Sequence, residues 1–124
     1  MGKKFVLIAG MNLHIAETMG ELLENRGYEV RMVCSGVDIE QCIRTRAPDL
    51  LVLSEIMPRK NGFELCAELK KNKSTKNIPV ILVGEAVGGR TCFHFAGRAT
   101  EADDFIVGPA ETRSLLEAVE RLAT

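Results

Sequence analysis

The sequence predicts an α/β protein: an open sheet of five parallel strands covered by helices on both faces. Three observations lead there. Short, unbroken apolar runs recur along the 124 residues, as strands buried on both faces require. Segments with apolar residues at helical spacing separate them. Glycine or proline stands at most junctions between the two patterns.

Phe5-Val6-Leu7-Ile8-Ala9 is the first run, bounded by Gly10. Ile15, Met19, Leu22 and Leu23 then mark one face of a helix, with Gly27 as its C-terminal cap. Tyr28 to Val33 alternates as a short strand, with Val30 and Val33 toward the core. Asp38 to Ala47 predicts a second helix with Ile39, Cys42 and Ile43 inward, and Pro48 stops it. Leu50 to Leu53 is the third strand, and its apolar run ends at Ser54. Phe63 to Lys71 reads as a third helix facing the core through Phe63, Cys66 and Leu69. Lys70 to Lys76 follows as a solvated, lysine-rich loop.

Ile78 to Val83 is the fourth strand, with proline tolerated at its beginning. Between Ala86 and Glu101 each interior glycine weakens a helix by up to about 1 kcal/mol against alanine. A short or irregular helix is therefore expected around Arg90 to Ala96. Phe105-Ile106-Val107 is the fifth strand, and Glu111 to Leu122 is a last helix that buries Leu115, Leu116, Val119 and Leu122.

With right-handed crossovers, this alternation favours a flavodoxin-like three-layer sandwich of strand order 2-1-3-4-5. Such sheets work beyond the carboxyl ends of their strands, at the switch point between the first and third. Gly10 to Asn12, Ser54 to Pro58, Gly84-Glu85 and Gly108-Pro109 are the positions that reach that end.

A chain of this length makes one domain, residues 1–124, burying roughly 65% of its unfolded surface without a disulfide or metal. Sixteen basic and seventeen acidic side chains nearly cancel, which argues against a nucleic-acid or anionic-membrane surface. Cys34, Cys42, Cys66 and Cys92 lack the Cys-x-x-Cys spacing of zinc or redox pairs. They read as small hydrophobes in a reducing cytosol. The first apolar stretch, Phe5 to Ala9, is far too short for a signal peptide or a membrane span, and a cytoplasmic location is expected.

One segment carries more than fold. Pro48 to Gly62 contains the frame Leu53-x-x-x-Met57-Pro58-x-x-x-Gly62, and it is followed by Ala102-Asp103-Asp104-Phe105 and Gly108-Pro109. These pieces resemble the response-regulator receiver domain of bacterial two-component signalling, over nearly the whole chain. In that family an aspartate four residues before the proline accepts a phosphoryl group, and Ser54 stands there. The resemblance places Gly10 and Met11 at the family's acidic pair, Gly84 at its Ser or Thr, and Gly108 at its lysine.

Phosphoryl transfer spreads negative charge over oxygens, which a divalent cation and a fixed ammonium must offset. Magnesium in turn needs hard oxygen ligands, carboxylates foremost. With those side chains missing, the resemblance implies a divergent receiver, a pseudo-receiver, that is no enzyme and holds no metal or cofactor. It would act as a protein-protein interaction module with a signalling partner or a fused output domain. Its oligomeric state is open. The family's usual output face, made by the fourth helix, fifth strand and last helix, points to Phe105, Arg113, Glu117 and Glu120, although a solvated helix face explains the charged residues equally well.

Two alternatives stand beside this one. Asn12-Leu13-His14, Ser54-Glu55-Ile56 and Gly88-Gly89 echo cobalamin-binding signatures, but Asn12 replaces the aspartate and Glu17 stands where a glycine belongs. That reading makes the strand-end cleft a small-molecule site. The other retains Glu55 or Ser54 as a residual phosphoacceptor, against the alternation that sends neighbouring strand side chains to opposite faces. Glu85 alone makes a poor magnesium site. Gly84 to Gly89 lacks the Lys-Ser/Thr of a phosphate loop and reads as flexible, and His14 and His94 read as ordinary helix residues.

Overall fold

Strands with apolar side chains on both faces need a covering layer on each side, and the chain supplies two. The structure, a computed structural model, describes residues 4–9, 13–33, 36–54, 62–87, 90–91, 103–108 and 112–122. Its elements in order are β1 (Phe5–Ala9), α1 (Leu13–Asn25), β2 (Glu29–Val33), α2 (Gly36–Thr45), β3 (Leu50–Ser54), α3 (Gly62–Lys71), β4 (Val80–Val87), β5 (Arg90–Thr91), β6 (Asp104–Gly108) and α4 (Thr112–Leu122).

β1 pairs in parallel with β2 and β3, β3 with β4, and β4 with β6. The order β2-β1-β3-β4-β6 is the expected 2-1-3-4-5, with β6 as the fifth parallel strand. Every residue of β1 and β3 is buried, as their unbroken apolar runs require.

Alternation along the strands sorts the core into two layers. Phe5, Leu7, Leu51, Leu53, Val80 and Leu82 face Ile39 and Ile43 of α2 and Leu65, Cys66 and Leu69 of α3. Val6, Ile8, Leu50, Val52, Ile81 and Val83 face Met19 and Leu23 of α1 and Ala118 and Val119 of α4. Val30 and Val33 are half-buried and support opposite layers, because they stand an odd number of positions apart on the edge strand β2.

Several expectations shift. α2 begins at Gly36 and ends at Thr45, before Ala47. Cys42 is only half-buried, whereas Cys66 is fully buried; both are free thiols. Cys34 and Cys92 lie outside the described residues, as do the side chains of Phe63 and Leu115. Leu65 joins the α3 face that sequence spacing drew without it.

Lys70 corrects the picture of a solvated lysine loop. It lies in the last turn of α3 with its side chain only 13% exposed, and its Nζ donates to the Ile78 carbonyl and to Asp103 Oδ2, both at 2.9 Å. Thr75, in the same loop, is buried and donates from Oγ1 to the Leu69 carbonyl at 2.5 Å.

The largest departure follows Val83. β4 continues through Gly84 to Val87, and Ala86 and Val87 pair antiparallel with Thr91 and Arg90. Arg90 and Thr91 are therefore strand where a helix was expected, and Gly84 to Val87 are strand where a flexible loop was expected. Pairing of Gly84 and Glu85 with Val107 and Gly108 supplies backbone partners that local sequence does not reveal. Residues 92–96, and with them the rest of the expected helix and His94, lie outside the described residues.

Candidate functional site

Register decides which residues meet at the carboxyl end of the sheet. Ala9, Leu53 and Leu82 lie abreast on β1, β3 and β4, and Ser54 pairs with Val83. Gly84 follows on β4 beside Val107, and Glu85 pairs with Gly108. Three positions named from sequence, Ser54, Gly84 and Gly108, are thus gathered at one end of three adjacent strands. Gly10 and Met11 follow Ala9 in the chain but lie outside the described residues, as do Asn12, Glu55, Gly88-Gly89 and Pro109.

Ser54 is fully buried. It shares the parity of Leu50 and Val52, which places it on the α1/α4 face of β3. A hydroxyl there can form an ester but not an acyl phosphate, and neither glycine beside it offers a ligand or an ammonium. Among the described residues no group of three or more His, Cys, Asp or Glu side chains is placed to hold a metal ion. Two described cavities, of about 420 and 450 Å³, lie elsewhere: one along β2 and α2, the other between α2 and α3.

The opposite end of the sheet is where described charges concentrate, and sequence reasoning missed it. Asp49 precedes β3, accepts the Phe5 N–H on Oδ2 at 2.7 Å and donates its own N–H to the Phe5 carbonyl at 2.8 Å. Asp103 precedes β6 and does the same to Val80, with both bonds at 2.8 Å. Each aspartate closes the first rung beside a neighbouring strand, and Asp103 also receives Lys70. The signal was an aspartate just ahead of an apolar run, one residue before it in Pro48-Asp49-Leu50 and two before it in Asp103-Asp104-Phe105.

Arg46 completes this end. Its guanidinium grips both oxygens of Glu29, at 2.7 and 3.1 Å, and lies 4.4 Å from the centre of the Phe5 ring. The Glu29 hydrogen bond is the main reason that its pKa is raised further.

The candidate interaction face divides. Phe105 lies in β6 opposite Leu82 in the ladder, and Arg113 lies in the first turn of α4; their side chains are outside the described residues. Glu117 is exposed on α4. Glu120 instead receives Arg26 at 2.6 Å, which ties the end of α4 to the residue after α1. The same two residues flank Tyr28. Burial, then Glu120, raise its phenol pKa above 10.0, while Arg26 opposes them. Glu17 is exposed on α1.

Comparison with known proteins bears on the whole fold. The sequence model of the family described as "Response regulator receiver domain" matches residues 6–120. The phosphate regulon transcriptional regulatory protein PhoB of Rhizobium meliloti (strain 1021) is 34% identical over 100 residues, covering 81% of this chain and 43% of that protein. The response regulator MprA of Mycobacterium ulcerans (strain Agy99) is 29% identical over 117 residues, covering 94% and 49%. The chain thus spans about half the length of these curated relatives. Among solved structures, the signal receiver domain of a signal transduction histidine kinase from Syntrophus aciditrophicus superposes with a TM-score of 0.82 at 30% identity, covering 97% of this chain and 89% of that one.

Proposed function

The chain belongs to the response regulator receiver domain family, and from that premise we propose that residues 1–124 form an atypical receiver that accepts no phosphoryl group and works as a protein-protein interaction module. The observation that carries the reading is Ser54, a fully buried serine at the end of β3, where the family's frame calls for the acceptor aspartate. Gly84 and Gly108, brought to the same sheet end, supply neither hydroxyl nor ammonium there.

The partner is a signalling protein or an output domain fused to this one, a reading supported by relatives about twice as long. Transcriptional regulation, in the name of the Rhizobium relative, belongs to that protein. A formal charge of −1 favours a protein contact over nucleic acid or an anionic membrane for the domain itself. Among the described residues no helix is long and apolar enough to cross a membrane. The free thiols of Cys42 and Cys66 support a reducing, cytoplasmic setting.

The test is chemical. Incubation with acetyl phosphate and millimolar magnesium is expected to leave the intact mass unchanged. Stoichiometric addition of a base-labile phosphoryl group to any carboxylate would sink the proposal. Phosphate on Ser54 that resists acid and hydroxylamine, after treatment with a cell extract, would instead make it a substrate of a separate serine kinase.

A further inference from the structure

β2 is an edge strand: within the described sheet it pairs with β1 on one side, and its other side is open. The direction of its free hydrogen-bonding groups follows from one contact. The Glu29 N–H donates to the Lys4 carbonyl of the neighbouring chain segment at 2.8 Å, so Glu29, Arg31 and Val33 turn their backbone groups toward β1. Val30 and Met32, of opposite parity, turn theirs outward. Met32 is also 43% exposed, the exposed large apolar side chain of the described residues. The cavity of about 420 Å³ beside Met32, Asp38 and Cys42 shows that α2 does not close over this edge.

We propose that this edge pairs with the same edge of a second copy of the chain, antiparallel about a twofold axis at Val30. This goes beyond the receiver reading and does not depend on it. Parity and charge select the register. Outward groups must meet outward groups, which allows Val30 opposite Val30 or Val30 opposite Met32 and excludes a one-residue slip. Centring on Arg31 would set two arginines face to face, which is unfavourable for directly opposed like charges. Centring on Val30 sets each Glu29 opposite the other copy's Arg31, in the closer, non-hydrogen-bonded position.

In that register each Val30 N–H donates to the other Val30 carbonyl, and each Met32 N–H donates to the opposing Tyr28 carbonyl. The Tyr28 N–H is already given to Leu23 within its own copy. Tyr28 and Met32 meet across the pair on one face, a thioether beside an aromatic ring. Glu29 keeps Arg46, because a carboxylate can accept more than one pair of donors. An edge this short makes a weak dimer, with a dissociation constant on the order of 0.1 mM.

Sedimentation velocity of the full chain from about 10 µM to about 1 mM tests it. The wild type should pass from monomer to dimer across that range. Met32→Pro removes an outward N–H without touching the β1 ladder, and Arg31→Glu opposes two glutamates. Each should weaken the dimer at least about tenfold, and circular dichroism should confirm that both stay folded. Arg44→Glu, an exposed charge reversal on α2, should leave the dimer unchanged. If Met32→Pro fails to fold, Arg31→Glu alone decides. A chain that stays monomeric throughout, or a dimer that survives a folded Met32→Pro or Arg31→Glu, or one that Arg44→Glu also abolishes, overturns the proposal.

Discussion

Asp103 carries three bonds at once: it accepts Val80 N–H and Lys70 Nζ, and its own N–H donates to Val80. Val80 is fully buried, so losing the carboxylate leaves a buried donor without an acceptor. Asp103→Ala should cost about 2 kcal/mol in urea unfolding and Asp103→Asn about half as much, since the amide oxygen still accepts. Asp49→Ala, which strips the Phe5 N–H of its acceptor and takes a negative charge from near Arg46, should cost about 1 kcal/mol. A loss near zero for Asp103→Ala would mean that this carboxylate does not hold the amino end of the sheet.

Tyr28 provides an independent residue-scale reading. It is the only tyrosine and the chain has no tryptophan, so ultraviolet titration reports on it alone. Its midpoint is expected above 10.0, because burial and Glu120 disfavour the phenolate. The sign for stability follows. The unfolded tyrosine loses its proton near 10.0 and the folded one later, so this contribution is complete below 10.0 and declines as pH rises to the folded midpoint. Tyr28→Phe should remove that decline, and Glu120→Gln should lower the midpoint. A wild-type midpoint at or below 10.0 would contradict the packing of Tyr28 against the α1/α4 layer.

At the scale of the element, α1 ends as its sequence announces. Gly27 adopts φ +93°, the Tyr28 N–H returns to the Leu23 carbonyl at 3.1 Å, and the Gly27 N–H returns to Glu24 at 3.0 Å. These two bonds are the reciprocal pair of a Schellman cap, and Tyr28 packs beside Leu23 as that cap favours. Two glycines of this region should respond oppositely to the same change. Nothing lies within 4 Å of a Cβ added to Gly27, so Gly27→Ala costs only backbone strain, about 1 kcal/mol. At Gly20, inside α1, a Cβ would meet Val30 at an ordinary 3.5 Å, and Gly20→Ala should stabilise by about 0.5–1 kcal/mol. Thermal melts of the two variants that move in the same direction would refute this account of the helix.

For the whole molecule, the proposed reading, a receiver that accepts no phosphoryl group, predicts one principal conformation regulated by the supply of its partner. On that reading the output face matters more than the carboxyl end of the sheet. Phe105→Ala should weaken partner capture by about 2 kcal/mol, roughly thirtyfold, while Ser54→Ala changes little. Melting curves must accompany the comparison, since β6 is also part of the sheet and Phe105 has a ladder position beside Leu82. If both variants fold and only Ser54→Ala loses the partner, the sheet end is the working site, and the small-molecule reading gains.

What the sequence determined is what burial writes into a short stretch of chain. β1 and β3 read as unbroken apolar runs because a helical layer covers each face, and Gly27 reads as a cap because a positive φ suits glycine. The end of β3 at Ser54 was legible for the same local reason: the apolar run Leu50 to Leu53 stops there. Only the tertiary structure could turn Gly84 to Val87 into strand, draw Lys70 out of solvent, and match Asp49 to Phe5 and Asp103 to Val80. Those partners stand 44 and 23 residues apart, and Lys70 and Asp103 stand 33 apart. No periodicity spans such distances; register across the sheet sets them, and register exists only once the strands have paired.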